Sequence, residues 1–95
     1  MRKRYVHIGF NYEDATAPID ELEKTFNKAV DWLRYDAHCW ILYTGLELDV
    51  WRDRIRNTKG ITENTGFVLT EFNAERTSGW VEEWIWDWLT KKRDP

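Results

Sequence analysis

The sequence predicts an α+β domain: a small antiparallel sheet with two helices on one face and a third helix on the other. Three observations carry this. Val6, Ile8 and Phe10 alternate with Tyr5, His7 and Gly9, the period of a strand with one buried face. Ile19, Leu22, Phe26, Ala29, Val30 and Leu33 then recur at helical spacing. The stretch Trp80-Val81-Glu82-Glu83-Trp84-Ile85-Trp86-Asp87-Trp88-Leu89 holds four of the seven tryptophans and, wound as a helix, is too apolar on one side to face water.

The bulk numbers set the frame. Ninety-five residues make one domain, 1–95, near the low end of what folds alone. At 42% hydrophobic, 16% aromatic and 33% charged, with five Gly and two Pro, the chain suits a packed globule and not a disordered segment. The net charge of -3 gives no global pull toward nucleic acid or an anionic membrane. Cys39 is the single cysteine, so no internal disulfide forms, and a reducing, cytoplasmic setting fits. No apolar run reaches the ~18 residues of a membrane span. Met1-Arg2-Lys3-Arg4 is basic, but no apolar region follows, so it does not read as a signal peptide.

Tyr5 to Phe10 forms the first strand, and Asn11 to Thr16 a polar loop. Pro18 marks a helix start, where its missing N–H costs nothing. Asp20, Glu21 and Glu23 complement the helix dipole there. The stripe places the helix end between Val30 and Leu33. Trp32 to Tyr35 either continues the helix or makes a short strand, turning at Asp36-Ala37 into a strand His38 to Tyr43. The aromatic and β-branched content favours the hairpin. Thr44-Gly45-Leu46-Glu47 has capping-box spacing and opens a second helix with Leu48, Trp51 and Ile55 inward. Asn57 to Gly66 is a loop and Phe67 to Phe72 the last strand. Thr77 or Ser78 caps a final helix from about Trp80 to Lys92, with Lys91, Lys92 and Arg93 at its negative end.

The order is β-α-β-β-α-β followed by an extra helix. Its first six elements match a ferredoxin-like sandwich. Without the short second strand, the alternative is β-α-β-α-β-α on a parallel three-stranded sheet. In the sandwich, Val6, Ile8 and Phe10 lie under the two helices. Tyr5, His7 and Gly9 face the other way, joined by either His38, Trp40 and Leu42 or Cys39, Ile41 and Tyr43. Trp80, Val81, Trp84, Ile85, Trp88 and Leu89 span about half of the final helix. Burying one Trp removes about 150–250 Å², worth up to about 4–6 kcal/mol. Three of them exceed the ~5–15 kcal/mol net stability of a domain, so the stripe is expected to cover the open sheet face, in its own subunit or a partner's. Trp86 falls among Glu82, Glu83 and Asp87 and is expected to be partly exposed, either as a contact residue or as rim packing.

Few residues carry chemistry by pattern. His7, His38 and Cys39 are metal-ligand types, but their spacing matches no zinc motif, so no metal is assigned. Cys39 reads as a small strand hydrophobe. Glu13, Asp14 and Asp20 follow the first strand, where carboxylates hold Mg²⁺ in some sites; a solvated loop and a dipole-matched helix start are the plainer explanation. Arg52 and Arg56 share a helix face, and with Lys59 they are nucleic-acid candidates; a solvated face paired with acids is the plainer explanation. No glycine-rich phosphate loop or HExxH is present.

The first strand Val6-His7-Ile8-Gly9-Phe10-Asn11, the aromatic hairpin Trp32 to Thr44 with Trp40-Ile41-Leu42-Tyr43-Thr44, the helix after it and the Gly79-Trp80 close resemble the small ferredoxin-like family of VapD-like ribonucleases and the small CRISPR adaptation subunit. The resemblance implies a homodimer formed through the sheets. It also implies, for active nucleases, a metal-binding aspartate at the end of the first strand. Asn11 stands there, without the charge, and Asp14 would substitute only if the loop folds back. The expected function is therefore a non-catalytic, ferredoxin-like homodimer acting by protein interaction and needing no cofactor. Trp80, Trp84, Trp86 and Trp88 are its interface candidates. The alternatives are an Mg²⁺-dependent endoribonuclease or nucleic-acid-binding subunit using Asn11 and Asp14, and a small-molecule-binding dimer with a pocket at Tyr5, His7 and Trp40.

Overall fold

The computed structural model describes residues 2–93. The elements run β1 (Arg4–Asn11), α1 (Ile19–Phe26), β2 (Asp31–Asp36), β3 (Cys39–Thr44), α2 (Leu48–Arg56), β4 (Gly66–Phe72), a 3-10 turn (Ala74–Arg76) and α3 (Glu83–Thr90). The four strands form one antiparallel sheet in the order β2-β3-β1-β4. This rules out the parallel three-stranded alternative, and Trp32 to Tyr35 is strand. Among the described residues no helix is long and apolar enough to cross a membrane.

Alternation divides the sheet into two faces. Val6, Ile8, Phe10, Trp40 and Leu42 point to one side and form the main core with Leu22 and Phe26 of α1 and Trp51 and Ile55 of α2. Thr44 lies wholly buried beside it, its Oγ1 accepting hydrogen bonds from the Trp51 indole (3.0 Å) and the Leu46 amide (3.1 Å). It does not cap α2. Glu47 stands at the cap position without a side-chain cap bond and reaches instead to Arg4 at 3.1 Å. Gly60 has φ of +96°, and a Cβ there would lie 2.6 Å from the Pro18 side chain, so the loop after α2 needs glycine to pass the start of α1.

The helix α1 ends earlier than its apolar spacing suggests. Asn27 takes the C-cap position, and its Oδ1 accepts from the Trp32 indole at 2.8 Å. The Val30 amide donates to Tyr43 O at 3.0 Å, which commits the chain to strand pairing. Leu33, expected on the helix stripe, therefore sits on β2 and faces the opposite side of the sheet.

That second face carries α3. Ile85 and Leu89 pack on Leu33 and Ile41, flanked by Tyr5, Phe72, Trp86 and Trp88. The stripe of buried tryptophans needs correction. The helix begins at Glu83, so Trp80 lies in extended chain outside it and is 100% exposed. Inside the helix, Ile85 and Leu89 set the rotation. At 100° per residue, Trp86 and Trp88 lie about 80° to either side of that seam and Trp84 about 120° away. Trp86 and Trp88 are accordingly half-buried and Trp84 is 46% exposed. Thr77 and Ser78 do not cap α3; the Thr77 hydroxyl donates to Asn73 O at 3.0 Å and closes the 3-10 turn.

Candidate interaction site

The segment from Thr77 to Glu82 has no regular secondary structure and straps the 3-10 turn to α3. Asn73 starts it: its Oδ1 accepts from the Glu75 amide at 2.9 Å and turns the chain back over the sheet. At Gly79 the strap runs against the Trp86 ring, where a Cβ would lie 3.9 Å from the indole. Beneath the strap is a groove of about 580 Å³. It is lined by residues that include His7, Tyr35, Thr70, Phe72, Arg76, Ile85 and Trp86.

Register explains which side chains meet there. Across the sheet on this face, Leu33, Ile41, His7 and Thr70 form one row, and Tyr43, Tyr5 and Phe72 form the row nearer the C-terminal end of α3. The remaining row holds Cys39, Gly9 and Val68, and α3 does not cover it. A Cβ on Gly9 would meet nothing within 4 Å, and Val68 is 67% exposed. His7 Nε2 and the Tyr35 hydroxyl are 2.5 Å apart. Burial pushes the His7 imidazole below its ordinary value. Burial, reinforced by Cys39 and Asp36, pushes the Tyr35 phenol up to about 12.

Charge is left over around the strap. Among the described residues, Arg76 in the groove and Glu82 and Glu83 beyond Trp80 take part in no salt bridge. Glu82 only accepts a hydrogen bond from the Trp84 indole at 3.2 Å. Trp80, Val81 and Trp84, the last two 37% and 46% exposed, are exposed apolar residues in the same stretch of chain as these acids.

On the same face, at the end of α3, the chain closes on itself. The Arg93 guanidinium lies 4.5 Å from the Tyr43 ring centre and 4.7 Å from that of Trp88. It donates to Asp31 Oδ2 at 3.1 Å and to the Tyr5 hydroxyl at 3.0 Å. Asp31 Oδ2 also accepts the Trp88 indole N–H at 2.9 Å. Trp88 is thus held by an internal lock and is not a free contact residue. Nothing in the sequence singled out Asp31 or Arg76; each is one acid or base among many until the register places it.

Comparison of the chain with protein-family models, with curated proteins and with solved structures found no match.

The remaining sequence candidates separate. Tyr5, His7 and Trp40 do not line one pocket. Trp40 is fully buried in the main core on the opposite face. Tyr5 borders a different hollow of about 870 Å³, with Arg2, Arg4, Glu71 and Lys91. Asn11 Oδ1 accepts the Glu13 amide at 2.9 Å in a turn that holds Glu13 at φ of 56°, and no group of three or more His, Cys, Asp or Glu side chains converges among the described residues. Asp14 is exposed on that loop. Arg52 pairs with Asp49 and Asp53, and Arg56 donates to Thr62 O and Thr65 O, closing the loop after α2. Lys59 is exposed beside them. His38 turns to Asp36 at 3.0 Å.

Proposed function

We propose that this chain is a non-catalytic interaction module that works as a homodimer, with the surface around Trp80 as its contact site. The observation that carries the reading is the full exposure of Trp80. A large aromatic left bare beside Val81 and Trp84 gains strongly from a partner, and aromatic residues dominate interface energetics. The end of the sheet at Gly9 and Val68 is also uncovered. The strand order β2-β3-β1-β4 together with the β-α-β-β-α-β succession supports a ferredoxin-like sheet, with α3 as an addition that covers only part of the second face. The nuclease alternative finds less support, because the turn at Asn11 engages the side chain that metal binding would need.

Light scattering over a concentration series tests the reading. A dimer is expected from low micromolar concentration upward. A clean monomer at high micromolar concentration would sink it.

A further inference from the structure

This inference rests on the homodimer reading and says how the two copies engage. We infer that each copy's Trp80 seats in the other copy's groove, between His7 and Arg76, in a reciprocal two-fold contact.

The first argument is placement. Gly79 and Val81 both line the groove, while Trp80 between them points away from it and is bare. Knob and hole are therefore one residue apart on the same strap. A surface that carries both a projection and its complement side by side is what a two-fold interface requires, because each copy presents the same patch to the other.

The second argument is fit. The groove, about 580 Å³, has Phe72, Ile85 and Trp86 as apolar walls and His7, Thr70 and Arg76 as polar positions. Recognition pockets for small rigid groups span about 300–1,000 Å³ with this mixture of lining. An indole offers flat apolar faces and one N–H donor. It matches the walls and leaves its N–H toward the polar side. A stable interface takes about 800 Å² from each partner, and one Trp supplies about a quarter of that. Val81 and Trp84, near it in the chain, are exposed and supply more.

The third argument is charge. Glu82 and Glu83 follow Trp80 by two and three residues, and among the described residues neither has a cationic partner. Arg76 in the groove lacks an acidic one. When Trp80 enters the groove of the second copy, its two acids arrive beside that copy's Arg76, and the symmetry repeats the pairing on the other side. Complementary rim charges fix register and exclude misaligned contacts.

Three variants test this by light scattering and sedimentation over a dilution series, with circular dichroism to check folding. Trp80→Ala is expected to weaken dimerisation at least tenfold. Arg76→Glu places like charges across the contact, and so does the double variant Glu82→Arg with Glu83→Arg. Each alone is expected to be monomeric where the wild type is dimeric. Mixed in equal amounts they are expected to form a heterodimer, because every crossing pair is then opposite in sign. A folded Trp80→Ala that dimerises like the wild type, or charge variants that fail to recombine, overturns the pairing mode while the homodimer stands. A monomeric wild type overturns both.

Discussion

Arg93 is bound by groups from four parts of the chain: Asp31 at the start of β2, Tyr5 on β1, Tyr43 on β3 and Trp88 on α3. Its side chain is only 10% exposed, so the ion pair and the ring contacts are poorly screened. Arg93→Ala is expected to lower stability by about 2–3 kcal/mol in urea unfolding, part of it from leaving Asp31 without its cation. Arg93→Lys keeps the charge but not the planar fork that meets Asp31 and Tyr5 together, and falls between the two. A second contrast concerns two core indoles. Trp51 donates to Thr44, whereas the Trp40 indole nitrogen is buried without a partner. Trp51→Phe is therefore expected to cost about 1 kcal/mol more than Trp40→Phe, the worth of one buried hydrogen bond. His7 supplies the pH dependence. Its folded pKa lies below the unfolded value near 6.5, so the unfolded chain binds the extra proton. Stability is then full above about pH 6.5 and declines as pH falls below it. Tyr35 stays neutral in that window, so it does not reverse the sign. Thermal melts at pH 7.5 and 5.5 should differ less in His7→Gln than in the wild type.

At the scale of elements, α3 separates what periodicity reveals from what packing decides. The apolar content of the segment was plain, and so was its need for cover. Its rotation was not. Four tryptophans and three aliphatic residues offer two overlapping stripes, and the helix turns toward the one whose aliphatic side chains fit between Leu33 and Ile41. Leu89→Ala is expected to cost about 2–4 kcal/mol, while Trp84→Ala stays within about 0.5 kcal/mol. Equal costs would mean the rotation is different. The first strand was legible because one of its faces is buried and alternation is then strict, at Val6, Ile8 and Phe10. The end of α1 was hidden because Ala29, Val30 and Leu33 continue the helical spacing by coincidence; the Val30 amide bonded to Tyr43 stops the helix, and no local pattern encodes that long-range contact. The groove was hidden for the same reason, since His7, Thr70 and Arg76 meet only through strand register.

Across the whole molecule, one sheet separates two apolar clusters of unequal size. The main core draws on β1, β3, α1 and α2, whereas the second centres on Leu33, Ile41, Ile85 and Leu89. Local opening costs least where buried contacts are fewest. Amide exchange in α3 is therefore expected to be faster than in β1 and β3, and slowest for the buried centre of those two strands; equal protection would mean a single cooperative unit. The sheet is also a partition. Side chains on its two sides alternate along each strand and meet only through backbone, so substitutions on one side are nearly additive with those on the other. The side that folds the chain and the side that carries the strap can thus diverge at separate rates. Positions around α3 could change one after another, and the half of the molecule built on the main core would scarcely register it.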